Sequence, residues 1–167
     1  SRNDGWMRNK LYFIFIFIFL FKPGVSYSLV EIDITRGNLD PLPISVSPFF
    51  TDKNSIEKIK KNLNIENLGL EISKVIENNL SKTGLFDTLD KESFLQKPDI
   101  AHLKPRFEDW TLIKSQVLIT GKVSSKIINN KDYIKIEFKL WDVLGAKMVD
   151  GFSLTTVPTN WRRVGHK

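Results

Sequence analysis

The first places to look for chemistry are the two histidines, His102 and His166. One lies between Ala101 and Leu103 and the other next to the last residue. Neither makes the i, i+4 pair by which one helix face grips a metal. Carboxylates come together at Glu108-Asp109 and at Asp87 with Asp90, where two acids could divide general acid and general base work. Both places also fit a helix start or a turn, where acids accept from free backbone N–H groups and meet the positive helix end. Gly69, Gly84 and Gly121 are too dispersed to form a phosphate-cradling loop, and no serine has a G-x-S-x-G setting. The chain has no cysteine, which excludes disulfides, thiolate metal sites, a cysteine nucleophile and a lipid carried on a lipobox cysteine. These residue types point away from an enzyme and from a resident cofactor, and toward a binding protein.

Length and charge agree with that direction. At 167 residues and 41% hydrophobic content the chain can build one domain with a substantial core. The formal charge of +6 invites a nucleic-acid reading, but the first 28 residues hold four basic residues and one acid. The remainder carries 21 basic and 18 acidic side chains, +3, with lysines spread among acids. That is an ordinary solvated surface, with no nucleic-acid partner implied.

The same 28 residues read as an export signal. Arg8 and Lys10 follow Met7, the expected initiator, with Ser1 to Trp6 as a leader before it. L-Y-F-I-F-I-F-I-F-L-F, residues 11–21, is an unbroken run of eleven apolar residues. A membrane-spanning helix needs about 20, whereas a signal-peptide core needs about 7–15. Lys22-Pro23-Gly24 ends the run, and Ser26 and Ser28 put small side chains at the −3 and −1 positions of a cleavage site after Ser28. The mature chain is expected to begin at Leu29, with no membrane span left.

The elements that follow must place whatever binds. In V-E-I-D-I-T, Val30, Ile32 and Ile34 alternate with Glu31, Asp33 and Thr35, the period of a strand with one apolar face. Arg36-Gly37-Asn38 breaks it, and Pro41 and Pro43 stiffen the link. Residues 44–50 form a second strand that Pro48 brings to its end. Asn54 with Glu57 resembles a capping box for a short helix carrying Ile56, Ile59 and Leu63. Ile65, Leu68, Ile72, Val75, Ile76 and Leu80 then give the principal amphipathic helix, ended by a left-handed cap at Thr83-Gly84. A short strand over 87–89, a helical turn over 91–95 stopped by Pro98, and a short helix opened by Pro105 with Phe107, Trp110 and Ile113 inward come next. Residues 116–126 and the alternating Ile134, Ile136, Phe138 and Leu140 make a hairpin about Asn129-Asn130. Leu144-Gly145 turns the chain into a last strand with Phe152 and Leu154 on its apolar side. The order indicates an α/β or α+β domain with a mixed sheet over one core. Trp161 and Val164 begin a helix that has no end cap and no room to bury its stripe, so the natural protein is expected to continue beyond Lys167.

Several segments in order resemble the N-terminal domain of the TolB family, the periplasmic component of the Tol-Pal envelope system. They are V-E-I-D-I-T-R-G directly after the signal, P-I-S-V-S-P-F-F, L-G-L-E-I-S-K-V-I-E-N-N-L-S-K-T-G-L-F-D-T-L-D, W-T-L-I-K-S-Q-V-L-I-T-G-K-V, F-K-L-W-D-V and T-N-W-R-R-V-G-H-K. Two departures stand out: residues 56–64 look like an insertion, and the family's six-bladed β-propeller is missing.

The resemblance implies an α/β sandwich of the anticodon-binding-domain kind, with a mixed, mostly five-stranded sheet flanked by helices. It divides the chain into leader and signal (1–28), a partner-binding strand and linker (29–40), the domain (41–158) and the start of a helix toward the propeller (159–167). It implies a periplasmic, non-enzymatic part of the Tol-Pal system in a Gram-negative bacterium, supporting outer-membrane integrity and constriction at division. The C-terminal domain of TolA would add the strand Leu29, Val30, Glu31, Ile32, Asp33, Ile34, Thr35, Arg36 and Gly37 to its own sheet. A free strand offers unpaired backbone groups, and its alternate side chains fill pockets. From pattern alone this strand could equally pack on its own domain. The peptidoglycan-associated lipoprotein would be held mainly by the propeller. A second reading, an outer-membrane accessory protein of the curli-secretion or penicillin-binding-protein-activator type, shares the strand–helix pattern, but such proteins usually carry the lipobox cysteine this chain lacks.

Overall fold

The structure, a computed structural model, describes residues 40–164. The expected signal, with Ser26 and Ser28, and the expected partner strand over 29–37 lie outside the described residues, as do residues 165–167.

Six strands form one mixed sheet in the order β3-β1-β4-β5-β6, with β2 paired to β4 off that path. They are β1 (Leu42–Val46), β2 (Phe50–Thr51), β3 (Phe86–Thr88), β4 (Val117–Ile128), β5 (Lys131–Asp142) and β6 (Lys147–Thr156). Pairs among β1, β2, β3 and β4 are parallel, while β4, β5 and β6 form an antiparallel meander. Among the described residues there are five helices: α1 (Lys53–Leu63), α2 (Leu68–Lys82), α3 (Pro98–Ala101), α4 (Phe107–Leu112) and α5 (Trp161–Val164).

The expected α/β sandwich is present, with a sixth strand arising from a break in the one expected over 44–50. After Val46 the Ser47 N–H still donates to Ile119 O at 2.9 Å, but Pro48 has no N–H to give and Phe49 N–H turns to Gly69 O at 3.2 Å. The chain thus leaves the sheet for three residues and rejoins β4 at Phe50. What it gains is a seat for Phe49. A Cβ on Gly69 would fall 1.9 Å from Phe49 O, and one on Gly121 2.3 Å from its ring. Hydrogen at 69 lets the Phe49 backbone carbonyl approach, and hydrogen at 121 admits its phenyl ring, which meets Phe138 edge-on at 5.2 Å.

Helix ends are set by side chains that the sequence pattern placed a turn away. Asp52, not Asn54, caps α1: its carboxylate accepts from Ser55 N–H and from Ser55 Oγ, both at 2.9 Å. Asn67 caps α2 by accepting from Leu70 N–H at 3.0 Å, so the helix starts at Leu68 and Ile65 packs on the core from the preceding loop. Gly84 takes the left-handed conformation expected of it, φ +69°. Pro98 opens α3 where it was expected to close a turn, since proline suits the first helical position. Asn129 and Asn130, φ 49° and 58°, form the tight turn between β4 and β5.

Two clusters, not one, stabilise the sheet. Under α1, α2 and α5 lie Phe49, Ile59, Leu68, Ile72, Val123, Ile134, Ile136 and Phe138. Trp161 and Val164 join them at 6% and 8% exposure, so the closing stripe, expected to have no place to go, is buried here. On the opposite face Trp110, Ala101, Leu118, Trp141 and Val143 gather beneath α3 and α4. Gln96 Oε1 accepts from both Trp110 Nε1 and Arg106 N–H at 3.0 Å, tying that cluster to its loop. The Trp141 indole likewise donates to Thr120 Oγ1 at 2.9 Å.

Candidate interaction surfaces

Of the residues singled out for chemistry, His102, Asp90 and Asp109 have structural partners, while His166 lies outside the described residues. His102 is buried, its ring stacked on Phe50 at 4.5 Å with Nδ1 3.0 Å from Pro98 O. Asp90 accepts from Glu92 N–H at 3.1 Å as the cap of a 3-10 turn. Glu108 and Asp109 stand in the first turn of α4, with Asp109 paired to Arg106 at 2.6 Å. Among the described residues no three of His, Cys, Asp and Glu gather in reach of a common metal ion. Gly69 and Gly121 both pack against Phe49, the first on its backbone carbonyl and the second on its ring.

Surfaces remain. One is an apolar groove of about 450 Å³ between α2 and the sheet, where Ile76, Leu80, Ile119, Phe138, Leu140 and Phe152 face one another. Phe152 stacks on Phe138 at 4.7 Å and is half exposed, because among the described residues β6 is an edge strand with no neighbour on its outer side. Leu80, expected in the core, lines this groove half-buried.

The other surface lies on the face shared with Trp110, beyond the reach of α3 and α4. Register puts Lys122, Lys126, Lys131, Lys135 and Lys139 on that face of β4 and β5, with Glu137 among them. Lys135 Nζ meets Glu137 Oε1 at 2.8 Å. That bond, opposed by partial burial and helped by the nearby charges of Lys135, Lys122 and Lys126, holds the Glu137 carboxyl below its ordinary range. Lys139 donates to His102 O at 2.8 Å, which fixes its stem without neutralising its charge. Alternation with Ile134, Ile136 and Phe138 already turns Lys135, Glu137 and Lys139 away from the first cluster, but only the register shows that β4 adds Lys122 and Lys126. The spacing of four in 122/126 and 131/135/139 was the available signal.

Residues 30–149 match the model of the TolB amino-terminal domain. The chain belongs to the TolB family. It is 55% identical over 156 residues to the Tol-Pal system protein TolB of Pelagibacter ubique (strain HTCC1062), a match covering 93% of this chain and 34% of that protein. It therefore spans about a third of the length of this TolB relative. The crystal structure of TolB from Acinetobacter baumannii shares the fold at a TM-score of 0.53 and 17% identity, over 75% of this chain and 26% of that one. A hypothetical protein, CT253, from Chlamydia trachomatis shares it at 0.51 and 14%, over 69% and 71%. No described helix is long and apolar enough to cross a membrane.

Proposed function

We propose that this chain is an exported, non-enzymatic component of the Tol-Pal system that works in the periplasm of a Gram-negative bacterium and binds the C-terminal domain of TolA through residues 29–37. Supporting outer-membrane integrity and constriction is the consequence of that contact, and the peptidoglycan-associated lipoprotein is a partner of the longer protein's propeller. The observation that carries the reading is the family match beginning at residue 30, directly after the signal-like run, so that V-E-I-D-I-T-R-G belongs to the matched domain.

Two features support a separable docking strand. Among the described residues the sheet begins at Leu42, and both hydrophobic clusters are built from residues of 40–164. Strand addition relies on backbone hydrogen bonds that most sequences can make, so selectivity rests on Val30, Ile32 and Ile34. Deleting residues 29–34 is expected to abolish binding in titration calorimetry while the thermal transition of the domain survives. Ile32→Ala is expected to weaken binding about tenfold or more, and alanine at Glu31 or Asp33 to change mainly its salt dependence. Unchanged affinity after the deletion would place the site elsewhere. Sequencing the mature protein from the periplasm should read Leu-Val-Glu from Leu29, and an intact residue 11–21 run would overturn export with cleavage.

A further inference from the structure

We propose that the open face of β4, β5 and β6 is a second docking surface, for an extended acidic polypeptide segment. Five lysines against Glu137 give this face a net of +4 on its strands, more than the +3 carried by the whole chain from Leu29 onward. The fold gathers on one side the cations that the sequence scatters. Asp52 lies close enough to Lys122 to feel its charge.

Shape selects the kind of acid. From Lys139 to Lys131 the ladder runs eight residues along β5, about 26 Å at a strand's rise. Its far end rises past the last pairing of β6, Ile134 with Thr156, to an exposed tip at Ile127 and Ile128. Its near end meets α3 in a recess of about 210 Å³ bordered by His102, Leu103, Lys122, Glu137 and Lys139. A helix layer stands on the order of 10 Å above the sheet it covers, so a broad, flat bilayer resting on α3 and α4 could not reach Lys122 or Lys139 at their foot. A single extended chain could lie along the foot of that wall. Its carboxylates, recurring on alternate residues, would match lysines that also recur on one face of each strand. On β6, Ser153 and Thr155 stand beside Glu137 and Lys135 with exposed side chains and supply hydroxyl partners.

The test uses the intact chain and a short polyglutamate peptide. Amide shifts in a titration of the unmodified protein are expected to concentrate on residues 120–139 and 151–155, with affinity falling as salt is raised. Lys122→Glu with Lys135→Glu should weaken binding about tenfold or more. Lys74→Glu with Lys82→Glu, the same change in net charge on exposed positions of α2, should change it less than about threefold. Equal losses from the two pairs would reduce the effect to overall charge and overturn the proposal. So would shifts centred elsewhere, no binding, or co-sedimentation with phosphatidylglycerol vesicles in place of peptide binding.

Discussion

The two faces of the sheet are built by different means. Beneath α1, α2 and α5, aliphatic and phenyl side chains fill the space continuously, and Phe49 enters a slot bounded by two glycines. Beneath α3 and α4, two indoles occupy a smaller patch and their N–H groups are anchored by Gln96 and Thr120. The first face depends on volume, the second on a few polar ties and a short helical cover. Where that cover stops, the sheet is free to carry lysines. One layer makes the fold secure, so the other can remain incomplete and display a surface.

The comparison breaks first at Phe49. Phe49→Ala should destabilise by about 3–5 kcal/mol, because the glycine at 121 that borders the ring has no side chain to move into the void. A loss under about 1 kcal/mol in denaturant unfolding would show that the slot is not a keystone. On the other face Gln96→Met keeps the volume but removes the acceptor for Trp110 Nε1 and Arg106 N–H. It should cost about 1–3 kcal/mol, the desolvation of donors left without a partner. A neutral result in the same assay would make that cluster as apolar in its energetics as the first.

The smallest effect sharpens the contrast at the edge of the first face. Asp52→Ala removes the α1 cap and should cost about 0.5–2 kcal/mol at neutral pH. Burial pushes the Asp52 carboxyl up, but the Ser55 N–H and Oγ, with Lys122 nearby, outweigh it and hold its pKa below the ordinary value. A lowered folded pKa stabilises the protein above the unfolded carboxylate range of about 4, and that contribution is lost as the pH falls through the folded value. Asp52→Asn keeps an acceptor and does not titrate, so its melting temperature should fall less than the native protein's between about pH 5 and pH 2. Parallel curves for the two would remove Asp52 from the account.

Long periodic elements were legible in the sequence because burial repeats along them. Ile134, Ile136 and Phe138 all enter the first cluster, and Leu68 and Ile72 do the same from α2. The second cluster was legible only in part: Phe107, Trp110 and Ile113 were expected inward and pack in it, whereas α3, with four residues, shows too little period to reveal a face. Adjacent apolar Leu140 and Trp141 were a further trace: β5 is buried on one side for its first half and on the other for its second. The break at Pro48 was read as an ending because nothing local shows that Gly69 and Gly121 hold a place for Phe49. The strand expected over 29–37 rests on its alternation and its TolA-binding role on the family resemblance, and both fall outside the described residues. The lysine face escaped notice since charges counted along a chain say nothing about which strands will become neighbours.

The central position of β1 bears on the order in which the chain completes itself. β4, β5 and β6 are joined by tight turns and can pair early, whereas β1 sets Ile44 beside Val117 and Leu42 beside Phe86. Closing such long loops is entropically slow, so β1 is expected to enter last. The segment that precedes Asp40 is attached to that strand. Its tether is therefore secured at the end of folding, and a chain still lacking β1 would hold that segment with no finished domain behind it.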